Sequence, residues 1–109
     1  MIYYYMLNPD HTTEACHDVA AWIDWFKTAD RRVGYTAIGN KVVSTVFLGI
    51  DHACDPSAPV LFETMVFEKD DKDSGDKRSG GRNWYATWQE AQEGHNKAVS
   101  DLTSDLPRG

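Results

Sequence analysis

Two side chains in this sequence have the chemistry and the predicted placement to form a buried polar pair. His95 falls on the apolar stripe of a predicted C-terminal helix, and Glu63 falls on one face of a predicted strand. That face otherwise carries the apolar residues Leu61, Met65 and Phe67. A buried carboxylate is costly unless it is paired. We therefore expect Glu63 to contact His95 where the helix packs on the sheet.

This predicted pair has three interpretations. In the first it is structural, fixing the register of helix against sheet and raising the pKa of His95. In the second it is part of an acid/base or metal site that adds Asp51 or His52 from the end of the preceding strand; a divalent metal of unknown identity would then be the cofactor. In the third it is a polar spot in a small-ligand pocket. The structural interpretation is favoured, because buried polar groups need partners in any fold.

A second group with binding chemistry is the pair Arg31 and Arg32, which follows Asp30. Two arginines at the end of a helix complement its negative terminus, which is the simpler interpretation. As an alternative, the two guanidinium groups hold an anionic ligand. The sequence contains no serine-hydrolase or phosphate-loop motif, and we assign no catalytic residue.

Local patterns predict the elements that position these side chains. A first strand over residues 2–7 precedes a helix that starts near Thr12, Thr13 and Glu14 and carries its apolar stripe to residue 29. Residues 33–38 and 41–50 form a hairpin around Gly39-Asn40, and residues 60–68 form a further strand. Residues 68–82 have no apolar side chain and are expected to be a solvated, mobile loop, with a short edge strand after it.

The last helix is signalled by Thr87 and Glu90, which match the capping box and place its start near Trp88. Gly94 costs about 1 kcal/mol relative to alanine inside a helix. Together with Ala91 it belongs to a line of small residues, so we expect Gly94 to permit close approach of the helix to the sheet.

These elements predict an α+β fold in a single domain over residues 1–109, in the order β-α-β-β-β-(β)-α. The expected architecture is one antiparallel sheet of four to five strands, with both helices packed on the same face.

Charge and composition exclude several classes of protein. The chain has 17 acidic and 11 basic residues and a formal charge of -6, without the clustered positive surface that nucleic acid requires. The apolar N-terminal stretch is seven residues long, too short for a membrane span. Cys16 and Cys54 do not follow a zinc-ligand spacing, so we expect two free thiols in a reducing cytoplasm.

Aromatic side chains are abundant for the length of the chain. Four tryptophans and five tyrosines include the consecutive Tyr3, Tyr4 and Tyr5, which cannot all face one side of a strand. Some aromatic surface is therefore expected to be exposed, and tyrosine and tryptophan are favoured anchors of protein interfaces and of self-association.

Four blocks of the sequence carry a resemblance to a family. They are the residues DRRV from Asp30, VSTVFLGIDH from Val43, LFETMVF from Leu61 and YATWQEAQEGH from Tyr85. Together they resemble a family of small uncharacterised bacteriophage and prophage proteins over most of the chain. The resemblance implies a phage or prophage origin and an intracellular setting, and it implies no activity. Residues 52–59 and 68–82 depart from the family's pattern, so Cys54 and the acidic loop are not expected to carry its chemistry.

The sequence therefore predicts a non-enzymatic interaction module: a small phage or prophage accessory protein that binds a host or phage protein and antagonises a host factor. The rival is a small metal-dependent or acid/base enzyme, or a ligand-binding protein, that uses Glu63, His95 and His52.

Overall fold

A computed structural model describes residues 3–51, 59–69 and 76–105. Seven strands and two helices follow in the order β1 (Tyr3–Leu7), β2 (Thr13–Cys16), α1 (Val19–Thr28), β3 (Arg32–Ile38), β4 (Lys41–Phe47), β5 (Ile50–Asp51), β6 (Phe62–Lys69), β7 (Asp76–Tyr85) and α2 (Trp88–Asp105). Two helices with two antiparallel sheets confirm the predicted α+β class.

The larger sheet has four strands in the order β3-β4-β6-β7. Its first hairpin turns where the sequence predicted, with Ile38 paired to Lys41 and Gly39 at φ +60°. This left-handed conformation costs glycine nothing, which is why the turn forms here. In register, Thr45 of β4 lies opposite Thr64 of β6.

The smaller sheet has three strands in the order β2-β1-β5 and was not predicted. Residues 13–16 pair with β1 and do not open the first helix. That helix begins at Val19, because the carboxylate of Asp18 caps it by accepting from the amide of Ala21 at 3.2 Å. The predicted strand 41–50 is divided in two near Gly49, whose φ is +80°.

Each helix packs on a different sheet, whereas the sequence predicted one shared face. The α1 helix lies on β1, where the Trp22 indole donates to the carbonyl of Tyr5 at 2.8 Å and contacts the ring of Tyr4. The α2 helix lies across β3, β4, β6 and β7. Its start at Trp88 and its Thr87 cap, which accepts from the amide of Glu90 at 3.2 Å, are as predicted.

A shared core joins the two sheets. Phe47, Leu61, Phe62 and Ala91 are fully buried at its centre. The half-buried residues packed around them come from both sheets and both helices: Tyr5, Leu7, Trp25, Val33, Tyr85 and Trp88. Apolar burial therefore connects the smaller sheet to the larger one.

Residues 68–82 differ from the expected loop. The β6 strand continues to Lys69 and β7 begins at Asp76, with Glu68 opposite Lys77. Because β7 is an edge strand, its backbone can bond to β6 without the apolar sequence that a central strand requires. The remainder of the predicted loop, residues 70–75, lies outside the described part of the chain.

Candidate functional site

Among the described residues, the most deeply buried histidine lies beneath α2. His95 is 6% exposed and faces the larger sheet, as predicted. Its Nε2 is 2.9 Å from the hydroxyl of Thr36, and its Nδ1 is 2.8 Å from the hydroxyl of Thr45. The Thr45 hydroxyl is also 2.6 Å from that of Thr64. These four side chains form one hydrogen-bonded chain, which we call the His95 network.

Strand register builds this network. Gly34, Thr45 and Thr64 lie side by side on β3, β4 and β6, and Thr36 follows two residues after Gly34 on the same face. Gly34 provides the space for the imidazole, because a Cβ atom there would lie 2.8 Å from Nε2 of His95. Threonine on a buried strand supplies both the branched shape that β-structure favours and the hydroxyl that the imidazole needs.

The neutral imidazole allows two directions of donation along the chain. If Nδ1 carries the proton, it donates to Thr45, which donates to Thr64, while Thr36 donates to Nε2. If Nε2 carries the proton, it donates to Thr36, and the order from Thr64 through Thr45 to Nδ1 is reversed. In the first arrangement the hydroxyl hydrogen of Thr64 is the end of the chain.

Burial lowers the pKa of His95 from its ordinary value of 6.5. The hydroxyl groups around it carry no charge that would stabilise an imidazolium ion. The predicted rise in the pKa of His95, caused by a partner carboxylate, is therefore wrong.

Glu63 does not meet His95, and the predicted pair is not formed. Side chains alternate along β6, so Phe62 and Thr64 face α2 while Glu63 faces the other side of the sheet. The carboxylate of Glu63 lies 3.9 Å from Nε of Arg82 on the neighbouring strand. An acid/base or metal site built on both Glu63 and His95 is thus excluded by the register of the sheet.

Asp51, another member of the predicted polar site, lies in the smaller sheet and not beside His95. Asp51 is buried in β5 of the smaller sheet, where its Oδ1 accepts from the amide of Val60 at 3.0 Å. His52 lies outside the described residues. Within residues 3–51, 59–69 and 76–105, no group of three or more histidine, cysteine or acidic side chains is placed to hold a metal ion.

Arg31 and Arg32 have different surroundings. Arg31 donates from Nη1 to the carbonyl of Phe47 at 3.1 Å, and its guanidinium lies 3.8 Å from the ring centroid of Phe26. Burial lowers the pKa of Arg31. The Arg32 guanidinium lies over the ring of Tyr35 at 4.7 Å. Both arginines line an open groove of about 700 Å³, and the anion contact stays a prediction.

The larger sheet has one face turned away from α2, which we call the open face. Tyr35 and Trp84 are 47% and 51% exposed there, on the two edge strands. The same face carries the exposed Arg32 and Arg82, the half-buried Val46, Met65 and Phe67, and the buried Val42 opposite Phe67. Alternation along Tyr3, Tyr4 and Tyr5 predicted some exposed aromatic surface, but Tyr4 and Tyr5 are both half-buried. The exposure of Tyr35 and Trp84 was not predicted, although their positions on one face of the predicted strands could have indicated it.

Gly94 has the predicted packing role. A Cβ atom at this position would clash with the hydroxyl and ring of Tyr85, so glycine lets α2 approach β7. Beyond this contact a cleft of about 400 Å³ lies between α2 and the sheet. The cleft includes Thr64, the last hydroxyl of the His95 network.

A comparison of the chain with known protein families, with curated proteins and with solved structures finds no match. Among the described residues, no helix is long and apolar enough to cross a membrane.

Proposed function

We propose that this protein is a binding module whose open face contacts another protein. The observation that carries the proposal is the exposure of Tyr35 and Trp84 at 47% and 51% on one face of a four-stranded sheet. An antiparallel sheet can leave one face in water, but that face is then usually polar. Two large exposed rings on such a face are typical of an interaction surface.

The composition of the open face favours a protein as its partner. Aromatic side chains, methionine and arginine are enriched in protein interfaces, and tyrosine, tryptophan and arginine carry most of their binding energy. Tyr35 and Trp84 stand on the outer strands, separated across the sheet by three strand spacings, or about 14 Å, and offset by two residues along it. Between them lie Val46 and Met65, which are half-buried.

Charged side chains accompany the rings. The guanidinium of Arg32 lies 4.7 Å from the ring centroid of Tyr35. On the other side of the sheet's centre, Nε of Arg82 on the edge strand β7 lies 3.9 Å from the carboxylate of Glu63 on β6. Polar groups around apolar anchors are the ordinary anatomy of an interface, where they add specificity to apolar burial.

The resemblance to phage and prophage proteins supports a narrower version of the proposal. The partner is then a host or phage protein in the host cytoplasm, and binding antagonises a host factor. A second copy of this chain is the other protein partner that the open face would fit, through exposed aromatic side chains.

Photo-crosslinking from the open face tests the proposal. A benzoylphenylalanine residue replaces Tyr35 or Trp84, and for comparison Ile23, which is 43% exposed on α1. We expect crosslinks in host cells from positions 35 and 84 and none from position 23. Sedimentation of the purified protein separates self-association from binding of a different chain.

Affinity measurements with the captured partner complete the test. Tyr35→Ala and Trp84→Ala are each expected to weaken binding about thirtyfold, the loss of one hot-spot side chain. Ile23→Ala, an equally exposed apolar change outside the face, should leave the affinity unchanged. Equal crosslinking from position 23, or a monomer that crosslinks to nothing, would refute the proposal.

A further inference from the structure

The cleft beneath the second half of α2 has the size and lining of a small-ligand site. Its volume is about 400 Å³, within the range of roughly 300–1,000 Å³ that ligand pockets occupy. The cleft opens to solvent, and its rim carries the exposed residues Asn83, Lys97 and Asp101.

The contacts that Gly94 and His95 of α2 make with the sheet explain why the cleft exists. There Gly94 sits against Tyr85 and the His95 ring fills the space above Gly34, which holds the helix close to the sheet. One turn further on, Ala98 offers only a methyl group. The gap that remains has apolar walls, formed by Val66, Ala98 and Leu102.

The charges that line the cleft favour an anion. They are the ammonium groups of Lys41 and Lys97 and the carboxylate of Asp101. Lys97 is 2.9 Å from Asp101 and is neutralised by it. Glu68 lies opposite Lys41 in register but accepts a hydrogen bond from Asn40, and Lys41 forms no ion pair with any described residue. One positive charge is left for a ligand.

Neutral hydrogen-bonding groups line the same space. Asn83 and Tyr85 come from β7, and Thr64 comes from β6. Thr64 is also the end of the His95 network.

We propose that this cleft binds a small amphipathic monoanion, a carboxylate with an aliphatic or aromatic body. The carboxylate lies at Lys41, and the apolar body lies against Val66, Ala98 and Leu102. This site is on the face of the sheet opposite the proposed protein contact, so either proposal can fail without the other.

Three probes of equal chain length test the charge and the place of binding. Octanoate, octanol and octylammonium are each added to the isotopically labelled full chain, and amide and methyl resonances are followed. We expect octanoate to shift Ala98 and Leu102 with saturation, octanol to bind more weakly, and octylammonium to cause no shift there. Equal shifts by all three probes, or shifts centred on the Trp84 indole, would overturn the proposal.

Substitutions then assign the contacts. Lys41→Met is expected to raise the Kd for octanoate about tenfold, the loss of one charge-assisted hydrogen bond, without changing the Kd for octanol. Ala98→Leu fills the apolar end and should abolish binding of both. Lys27→Met, which removes an exposed lysine on α1, is the matched control. An octanoate affinity that drops equally in Lys27→Met and Lys41→Met would show charge attraction alone and refute the site.

Discussion

Replacement of Gly34 by alanine tests the His95 network directly. The new Cβ atom would lie 2.8 Å from Nε2 of His95 and 2.9 Å from Cδ2 and Cε1. Ordinary contacts between such atoms are about 3.5 Å or longer, so three ring atoms would be crowded at once. The imidazole therefore has to move away from β3.

The cost of that movement follows from what the ring contacts. Displacement from β3 lengthens the 2.9 Å bond between Nε2 and the Thr36 hydroxyl. Loss of a buried hydrogen bond costs about 1–3 kcal/mol, and overpacking of a tight site adds about 1–3 kcal/mol. Alanine in place of glycine recovers up to about 1 kcal/mol through the unfolded chain. We expect Gly34→Ala to lower the free energy of unfolding by about 1–6 kcal/mol, with a central value of about 3.5 kcal/mol.

A double-mutant cycle with His95→Ala isolates this mechanism. Free energies of unfolding are measured by guanidinium denaturation for the wild type, both single variants and the double variant. Without the ring, the alanine at position 34 has space, so its cost in the His95→Ala background should fall close to zero. A cost of the same size in both backgrounds would refute the assignment of Gly34 as the space for His95.

Three further predictions concern pH and helix and strand boundaries. Because burial lowers the pKa of His95, the unfolded chain binds more protons below about pH 6.5, so stability should fall as pH drops through this range. That slope should shrink in His95→Gln and persist in Glu63→Gln; equal slopes in wild type and His95→Gln would contradict it. Asp18→Ala should lower the free energy of unfolding, measured by urea denaturation, by about 1 kcal/mol because the N-cap of α1 is lost, whereas Glu14→Ala should change it very little. A larger loss for Glu14→Ala than for Asp18→Ala would show that the helix starts earlier. Gly49→Ala should lower the melting temperature, because φ is +80° and the new Cβ would lie 3.0 Å from the Trp22 ring; an unchanged melt would contradict this strain.

Short-range signals in the sequence predicted local features well. The Thr87 cap, the turn at Gly39 and the inward face of α2 each depend on residues within one or two turns of chain. Gly94 was also understood correctly, because an unfavourable glycine inside a helix indicates a close neighbour even before that neighbour is known.

The partner of His95 was not predictable in the same way. Alternation along residues 61–67 separates two faces, and both carry large apolar side chains. Periodicity therefore cannot say which face α2 covers. We expected α2 to cover the face that carries Glu63, because a lone buried carboxylate needs a partner. In the structure α2 covers the face that carries Thr64.

The strand β2 and the first part of β7 were not predicted, because their formation also depends on distant parts of the chain. Residues 13–16 look like the start of a helix, and residues 76–82 look like solvent-exposed loop. Both segments become strands because a neighbouring strand supplies backbone hydrogen bonds, and an edge strand needs no apolar side chains to receive them.

The sequence by itself determined the α+β class, the start of α2, the central hairpin and the burial of His95, because propensity, capping and periodicity act over a few residues. Only the tertiary structure decided that there are two sheets, that Thr36, Thr45 and Thr64 surround His95, and that Tyr35 and Trp84 share an exposed face. Those features depend on strand pairing and on which face of a sheet a helix covers. Both are set by contacts between segments far apart in the chain, whose energies no single segment contains.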